Sequence, residues 1–125
     1  MAHATRRLLD SHRAGEGPLR VLVSRSHRDA RVDGWLGRLP RPCIAVAAGS
    51  SLKFCRIAEG TADLYPRFGP THPWDTAAGQ CVLECAGGAV VDARGHPLRY
   101  DAHSTDLNPD FLAVADPQWR HLLAA

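Results

Sequence analysis

The chain has 125 residues, of which 45% are hydrophobic and 22% charged, and its formal net charge is +2. This length suits one domain with a real core, and the weak, dispersed charge argues against a dedicated binder of nucleic acid polymers. Without an apolar run near the ~18 residues of a membrane span or a secretory signal core, we expect a cytoplasmic protein with reduced cysteines.

The first half of the chain predicts two strands and one helix. Residues 1–17 resemble a tail or frayed helix that ends in a glycine-proline breaker, and 18–125 are expected to form the domain. The valine-rich segment 19–26 predicts a strand, and the charged segment 27–38 predicts a surface helix. The continuous apolar run 43–48 is typical of a buried strand.

The middle of the chain continues the alternation. Phe54, Ile57 and Ala58 have helical spacing, and the segment 62–68 alternates like a strand. Because Pro66 lacks an N–H donor, we place this strand at a sheet edge or put the proline near the strand end. Alternating strands and helices predict an α/β fold with a mixed, mostly parallel sheet flanked by helices.

A helix over 74–86 is the strongest periodic signal. Its apolar residues recur at helical spacing, which predicts one stripe facing the core: Trp74, Ala77, Ala78, Cys81, Val82 and Cys85. Beyond it, the segment AVVDARG predicts a strand and turn, residues 111–115 a last short strand, and 117–123 a terminal helix.

Polar residues follow three predicted strands, where α/β sheets collect ligands. Ser24-Arg25-Ser26-His27 follows the first strand, Gly49-Ser50-Ser51 with Lys53 follows the second, and Arg67 ends the third. Hydroxyls, cations and free N–H groups at such junctions favour an anion such as phosphate. The alternatives are a polar turn, a serine helix cap and solvated surface cations.

Asp75 stands between Trp74 and a run of small residues. As a helix cap it would satisfy an orphan N–H group. As a ligand it would offer a hard oxygen to Mg²⁺, which prefers carboxylates together with substrate phosphate and water. Spacing leaves both interpretations open. A zinc site built on Cys81 and Cys85 is disfavoured, because no further ligands stand at a recognisable spacing.

Four stretches in order, VSRSH, GSSLKF, YPRFGP and WDTAAG, resemble the magnesium-dependent inositol monophosphatase-like superfamily, and most closely its CysQ-type 3'(2'),5'-bisphosphate nucleotidases. The resemblance runs from about residue 19 to 115. It implies the carboxyl-terminal αβα layer domain of that fold. It also implies hydrolysis of 3'-phosphoadenosine 5'-phosphate to AMP.

The resemblance also implies residue roles. Asp75 matches the aspartate that binds magnesium, and no complete catalytic set is found in this chain. The substrate-binding set at the matching positions is His27, Ser50, Ser51, Lys53 and Arg67. Inositol phosphatases tend to carry a glutamate at the position of Arg67, so the arginine favours a second anionic group over a polyol, with inositol monophosphate as the alternative substrate.

The chain departs from the family in one large respect. The amino-terminal glutamate cluster and the D-P-x-D-x-T motif, which hold most of the metal, do not occur here. We therefore expect little metal affinity and negligible turnover from this chain alone. We also expect an apolar patch that invites either a separate amino-terminal half or self-association. A non-catalytic nucleotide-binding module and a non-functional remnant are the alternatives.

Overall fold

A five-stranded sheet in the order β2-β1-β3-β5-β4 is the centre of the molecule. The computed structural model describes residues 17–24, 30–48, 53–68, 71–99 and 108–124, apart from the side chains of Asp75 and Ala124. The strands and helices are, in chain order, β1 (Leu19–Ser24), α1 (Ala30–Leu36), β2 (Cys43–Ala48), α2 (Lys53–Ala58), β3 (Leu64–Arg67), α3 (Pro73–Cys85), β4 (Ala89–Val91) and β5 (Phe111–Val114).

The sheet is mixed. Strand β1 runs parallel to β2 and β3, whereas β5 runs antiparallel to β3 and β4. The predicted α/β class is therefore confirmed. The expected majority of parallel pairings is not observed, since the described strands form two parallel and two antiparallel pairs.

Alternating side chains of β1 divide the core between the two faces of the sheet. Val21 packs with Val32 and Trp35 of α1 on one face. Leu22 packs with Phe54 of α2 on the other face, in the cluster that also contains Leu83 of α3. Helix α1 thus covers one face, while α2 and α3 cover the opposite one, as in an αβα layer architecture.

The prediction that β2 is buried was wrong. The strand exists with the predicted bounds, but it lies at the edge of the described sheet, and its four central residues are exposed. Ile44 is 52% exposed and Val46 41%. A continuous apolar run indicates burial on both faces, yet no other part of the described chain covers this strand.

Pro66 lies in β3, which is central in the sheet and not at its edge. The first of the two predicted placements, an edge strand, was therefore wrong. However, β3 joins β1 through the single register pair Val21 and Leu64, so Pro66 lies beyond that pairing and near the end of the strand, as the alternative prediction required. The last predicted helix is instead two short 3-10 turns, Pro117–Trp119 and Leu122–Ala124.

The predicted orientation of α3 was also wrong. The helix has nearly the predicted bounds, but all six residues of its apolar stripe are exposed, Trp74 to 71% and Val82 to 44%. The buried face instead carries Thr76, Gln80 and Leu83.

No helix in the described ranges is long and apolar enough to cross a membrane. The predicted domain start at residue 18 stays a prediction, because residues 1–16 lie outside the described ranges.

Candidate functional site

The carboxyl ends of β1 and β3 form a topological switch point. From β1 the chain passes through α1 to β2 on one side, and from β2 through α2 to β3 on the other side. Because the two connections leave in opposite directions, a crevice opens between the carboxyl ends of β1 and β3, which is where open α/β sheets bind ligands. Ser24 and Arg67 end the two strands at this crevice.

Lys53, the only lysine of the chain, is buried at the start of α2 with 1% of its surface exposed. Its Nζ atom lies 4.7 Å from the centroid of the Tyr65 ring. Burial lowers the pKa of the Lys53 ammonium below its ordinary value of 10.5, and the positive charge of Arg67 lowers this pKa further. The alternative of a solvated lysine is therefore wrong.

Arg67 is half-buried at the end of β3. Its Nε atom is buried and has no hydrogen-bond partner among the described residues. Among the described side chains, neither Arg67 nor Lys53 forms an ion pair with a carboxylate. A desolvated donor without an acceptor is costly, and two neighbouring cations repel each other, so the pair favours an anion between or beside them.

An aromatic cluster packs beneath Lys53. The rings of Phe54 and Tyr65 meet edge to face with centroids 5.6 Å apart, and Phe111 lies 5.6 Å from Tyr65. A Cβ atom added to Gly79 would come within 2.4 Å of the Phe54 ring, so α3 crosses α2 at a distance that requires glycine. Segments of GSSLKF, YPRFGP and WDTAAG are therefore in contact.

Asn108 fixes the start of α3, and sequence reasoning missed it. Its side-chain amide donates to Thr76 Oγ1 at 2.9 Å, to Thr71 Oγ1 at 3.1 Å and to the His72 carbonyl at 3.0 Å. The Thr76 hydroxyl in turn donates to the Pro73 carbonyl at 3.2 Å. The backbone of Asp75 lies in the helical turn that these bonds hold. The only signal in the sequence was a pair of threonines around the proposed ligand.

The remaining predicted residues are not placed together with this pair. His27, Ser50 and Ser51 lie outside the described residues, as does the side chain of Asp75. Among the side chains that are described, no three or more histidines, cysteines or acids form a group able to hold a metal ion. One carboxylate in the first turn of α3 fits a single Mg²⁺ ligand and does not form a site.

Comparisons with known proteins point to one family. Residues 8–124 match the model of the Inositol monophosphatase family. The 3'(2'),5'-bisphosphate nucleotidase CysQ of Escherichia coli is 51% identical over 94 residues, which are 75% of this chain and 38% of that protein. CysQ of Haemophilus influenzae is 38% identical over 108 residues and is covered to 40%. The chain thus spans about two fifths of these relatives.

Solved structures give the same result. CysQ from Bacteroides thetaiotaomicron superposes with a TM-score of 0.72 at 37% identity, over 81% of this chain and 38% of that one. An inositol monophosphatase from Zymomonas mobilis superposes with a TM-score of 0.69 over 94% of this chain and 47% of that one, at 17% identity, which supports the fold alone.

Proposed function

Since the chain belongs to the inositol monophosphatase family, we propose that it is the nucleotide-binding part of a magnesium-dependent 3'(2'),5'-bisphosphate nucleotidase. In this proposal the substrate is 3'-phosphoadenosine 5'-phosphate and the product is AMP. Lys53 and Arg67 bind the anionic groups of the nucleotide. The chain spans 38% of the E. coli relative, so turnover requires the rest of the family fold, and we expect the chain alone to be inactive.

The observation that most supports this proposal is that two neighbouring cations, Lys53 and Arg67, lie at the switch point without a carboxylate partner among the described side chains. Arg67 brings a buried Nε donor for which the described residues offer no partner, and Lys53 adds a second cation, whose pKa is lowered first by burial and then by the Arg67 charge. A phosphate offers several acceptor oxygens and enough negative charge for both groups. A polyol ring such as inositol supplies neutral hydroxyls and leaves the repulsion between the cations uncompensated.

The remaining site residues complete the proposal. Ser50 and Ser51 donate hydrogen bonds to the nucleotide phosphate and sugar, and His27 contacts the nucleotide. Asp75 contributes one oxygen ligand, while Asn108 and Thr76 hold the turn that carries it. When bound, Mg²⁺ supplies an activated water and neutralises developing charge in phosphate ester hydrolysis. The other metal ligands belong to the part of the fold that this chain does not span.

Calorimetric titration of the chain with three ligands tests the binding step. We expect 3'-phosphoadenosine 5'-phosphate to bind more tightly than either AMP or inositol monophosphate, because it alone of the three carries a second phosphate group for the cation pair. The catalytic step is tested by phosphate release from the same nucleotide in the presence of Mg²⁺ and the missing part of the fold. Tighter binding of inositol monophosphate would contradict the choice of substrate.

A second candidate is a nucleotide-binding module without catalysis. It is favoured by the observation that the described residues keep the cation pair but contain no acidic metal cluster. The two candidates differ in one result. Nucleotide binding without phosphate release, in a mixture that contains the missing part of the fold in folded form, would support the module and reject the nucleotidase.

A further inference from the structure

A further arginine, Arg31, lies beside the crevice at the carboxyl ends of the strands. It stands in the first turn of α1, the helix that follows β1 along the chain. Its guanidinium carbon lies over the Phe68 ring, 5.6 Å from the ring centroid. Phe68 directly follows Arg67, the residue that ends β3. The contact therefore places the Arg31 charge next to the end of β3, where the ligand crevice opens.

Arg31 approaches this crevice from the face of the sheet that α1 covers. Phe68 packs against the core cluster of that face, and its ring meets the Trp35 ring of α1 edge to face with centroids 6.4 Å apart. On the opposite face, which α2 covers, Lys53 lies over the Tyr65 ring. The crevice thus has a cation on each of its two sides.

The position of the Arg31 guanidinium is supported from the core. Trp35 is completely buried, and its Nε1 atom donates to the Leu122 carbonyl at 2.8 Å. This bond holds the indole ring against which Phe68 rests. A guanidinium that lies over an aromatic ring uses its flat face for the contact, whereas its N–H donors point outward in its plane. Arg31 is itself exposed, so a ligand in the crevice can reach these donors.

Another arginine makes the same kind of contact at the opposite end of the sheet. Arg41 lies over the Trp119 ring, 5.5 Å from its centroid, shortly before β2 begins. Its guanidinium donates to the Gly17 carbonyl. At the amino ends of the strands, an arginine over an aromatic ring therefore joins two segments of the fold. Arg41 is thus a matched reference for Arg31 at a place where no ligand is expected.

We propose that Arg31 is a third cation of the nucleotide site and binds one of the two phosphate groups of a bisphosphorylated nucleoside. These phosphate groups stand on different carbon atoms of the ribose, so donors on both sides of the crevice suit them better than one cluster does. Lys53 and Arg67 supply one side and Arg31 the other. Arg31 therefore contributes to the preference for two phosphates over one. The inference rests on the proposed function.

Calorimetric titration of R31Q with three nucleotides tests this role. The ligands are 3'-phosphoadenosine 5'-phosphate and the two monophosphates AMP and adenosine 3'-monophosphate. We expect R31Q to lower the affinity for the bisphosphate and for one monophosphate about tenfold, while the other monophosphate keeps its affinity within about twofold. The reason is that only one of the two phosphate positions lies beside Arg31.

Two further variants separate the ligand contact from general effects. R41Q removes a cation from the matched contact over Trp119, and it should bind all three nucleotides as tightly as the original chain. F68L keeps an apolar side chain against Trp35 but removes the ring beneath Arg31, so the affinity for the bisphosphate should fall about threefold. Adding F68L to R31Q should cause no further loss. Thermal transitions verify that each variant is folded.

The signal of Lys53 provides a second readout. In a chain labelled with ¹³C-lysine, the monophosphate that keeps its affinity for R31Q should raise the pKa of Lys53 in this variant as it does in the original chain, because it binds on the other side of the crevice. A Lys53 pKa that no longer responds in R31Q would mean that the two sides do not act separately, and the assignment would be wrong.

The outcomes distinguish this inference from the proposed function. An equal loss of affinity for all three nucleotides in R31Q would mean that Arg31 attracts anions in general, and unchanged affinities would mean that it binds none; either result overturns the assignment. Selective loss in R31Q without phosphate release in the presence of the missing part of the fold would support Arg31 and reject the nucleotidase. If the original chain binds none of the nucleotides, both proposals are wrong.

Discussion

The two ends of the parallel strands β1 and β3 differ in whether their charged side chains have a partner of opposite charge. At the amino ends, Asp63 accepts a hydrogen bond from the Arg20 backbone N–H at 2.7 Å and forms an ion pair with the Arg20 Nε atom at 3.3 Å. The same guanidinium also donates to the Gly60 carbonyl at 2.8 Å. At the carboxyl ends, Lys53 and Arg67 lie near each other without a carboxylate among the described side chains.

This difference separates a charge that stabilises the fold from charges that are suited to a ligand. The Asp63 side chain is 6% exposed, and its acceptors are used by Arg20. The Arg67 Nε donor is also buried, but it has no acceptor in the described part of the chain. Buried polar groups in folded proteins are nearly always satisfied. This exception supports the proposal that the carboxyl end binds the ligand, and substitutions at the two ends should have different effects.

The largest effect on stability is expected at the amino end. In D63A the Arg20 backbone N–H and guanidinium lose their acceptor, so the free energy of unfolding should fall by about 3 kcal/mol. Urea denaturation measures it. The exposed residue Glu59 provides the control, since E59A should change this free energy by less than ~0.5 kcal/mol. Equal losses in D63A and E59A would contradict the role of Asp63 as the organising acceptor.

The contrast between the two ends is invisible in the sequence. Arg20 and Arg67 each lie in a strand beside apolar residues, and the acceptor for Arg20 comes from a residue 43 positions away. The positions of β1, α2 and α3 were predictable because their apolar spacing is local. The partners of each cation depend on which strands become neighbours, and the strand order was not predictable from spacing.

The next prediction tests how tightly α3 packs against α2 beside the carboxyl ends of the strands. In G79A the new methyl group would meet the Phe54 ring at 2.4 Å, and that ring cannot retreat because it packs against Tyr65 and Phe111. Overpacking should lower the free energy of unfolding by about 2 kcal/mol. The matched variant G34A in α1 has open space, the nearest atom lying 3.9 Å away, so it should raise stability by ~0.5–1 kcal/mol. A stabilised G79A would show that the crossing of α2 and α3 is loose.

The stripe of α3 illustrates the same limit of sequence reasoning. Its periodicity correctly predicted a helix, but an apolar stripe indicates only that a face is to be buried and not against which part of a protein. The inward face was recognisable only from the hydrogen bonds of Thr76 and Gln80. These polar residues looked like a solvent face in the sequence, and their acceptors and donors come from distant segments.

A smaller effect on free energy, but a specific one, is expected at Arg67. R67Q removes the charge while keeping a polar side chain, so affinity for 3'-phosphoadenosine 5'-phosphate should fall roughly 10- to 100-fold. Stability should be unchanged or higher, because the repulsion with Lys53 disappears. Calorimetric titration and a thermal transition measure the two quantities. The exposed residue Arg94 provides the control, and R94Q should bind normally. Lower stability with unchanged affinity would assign Arg67 to the fold.

The smallest effect concerns the proton on Lys53. Its pKa in the folded chain lies below 10.5, so the unfolded chain binds more protons between that pKa and 10.5, and stability gains from this residue as pH rises through the interval. At neutral pH the buried charge is a cost, and K53M should raise the free energy of unfolding by about 1 kcal/mol. The advantage of K53M over the original chain should shrink as pH approaches 10.5.

Because Lys53 is the only lysine, its pKa can be followed directly by NMR of a chain labelled with ¹³C-lysine. We expect one side-chain signal whose titration gives a pKa below 10.5. This pKa should rise when a nucleotide phosphate is added, because a bound anion favours the ammonium form. K53M should lose nucleotide affinity even as it gains stability, which is the signature of a ligand site. A pKa at or above 10.5 without ligand would mean that Lys53 already has a compensating partner, and the contrast between the two strand ends would fail.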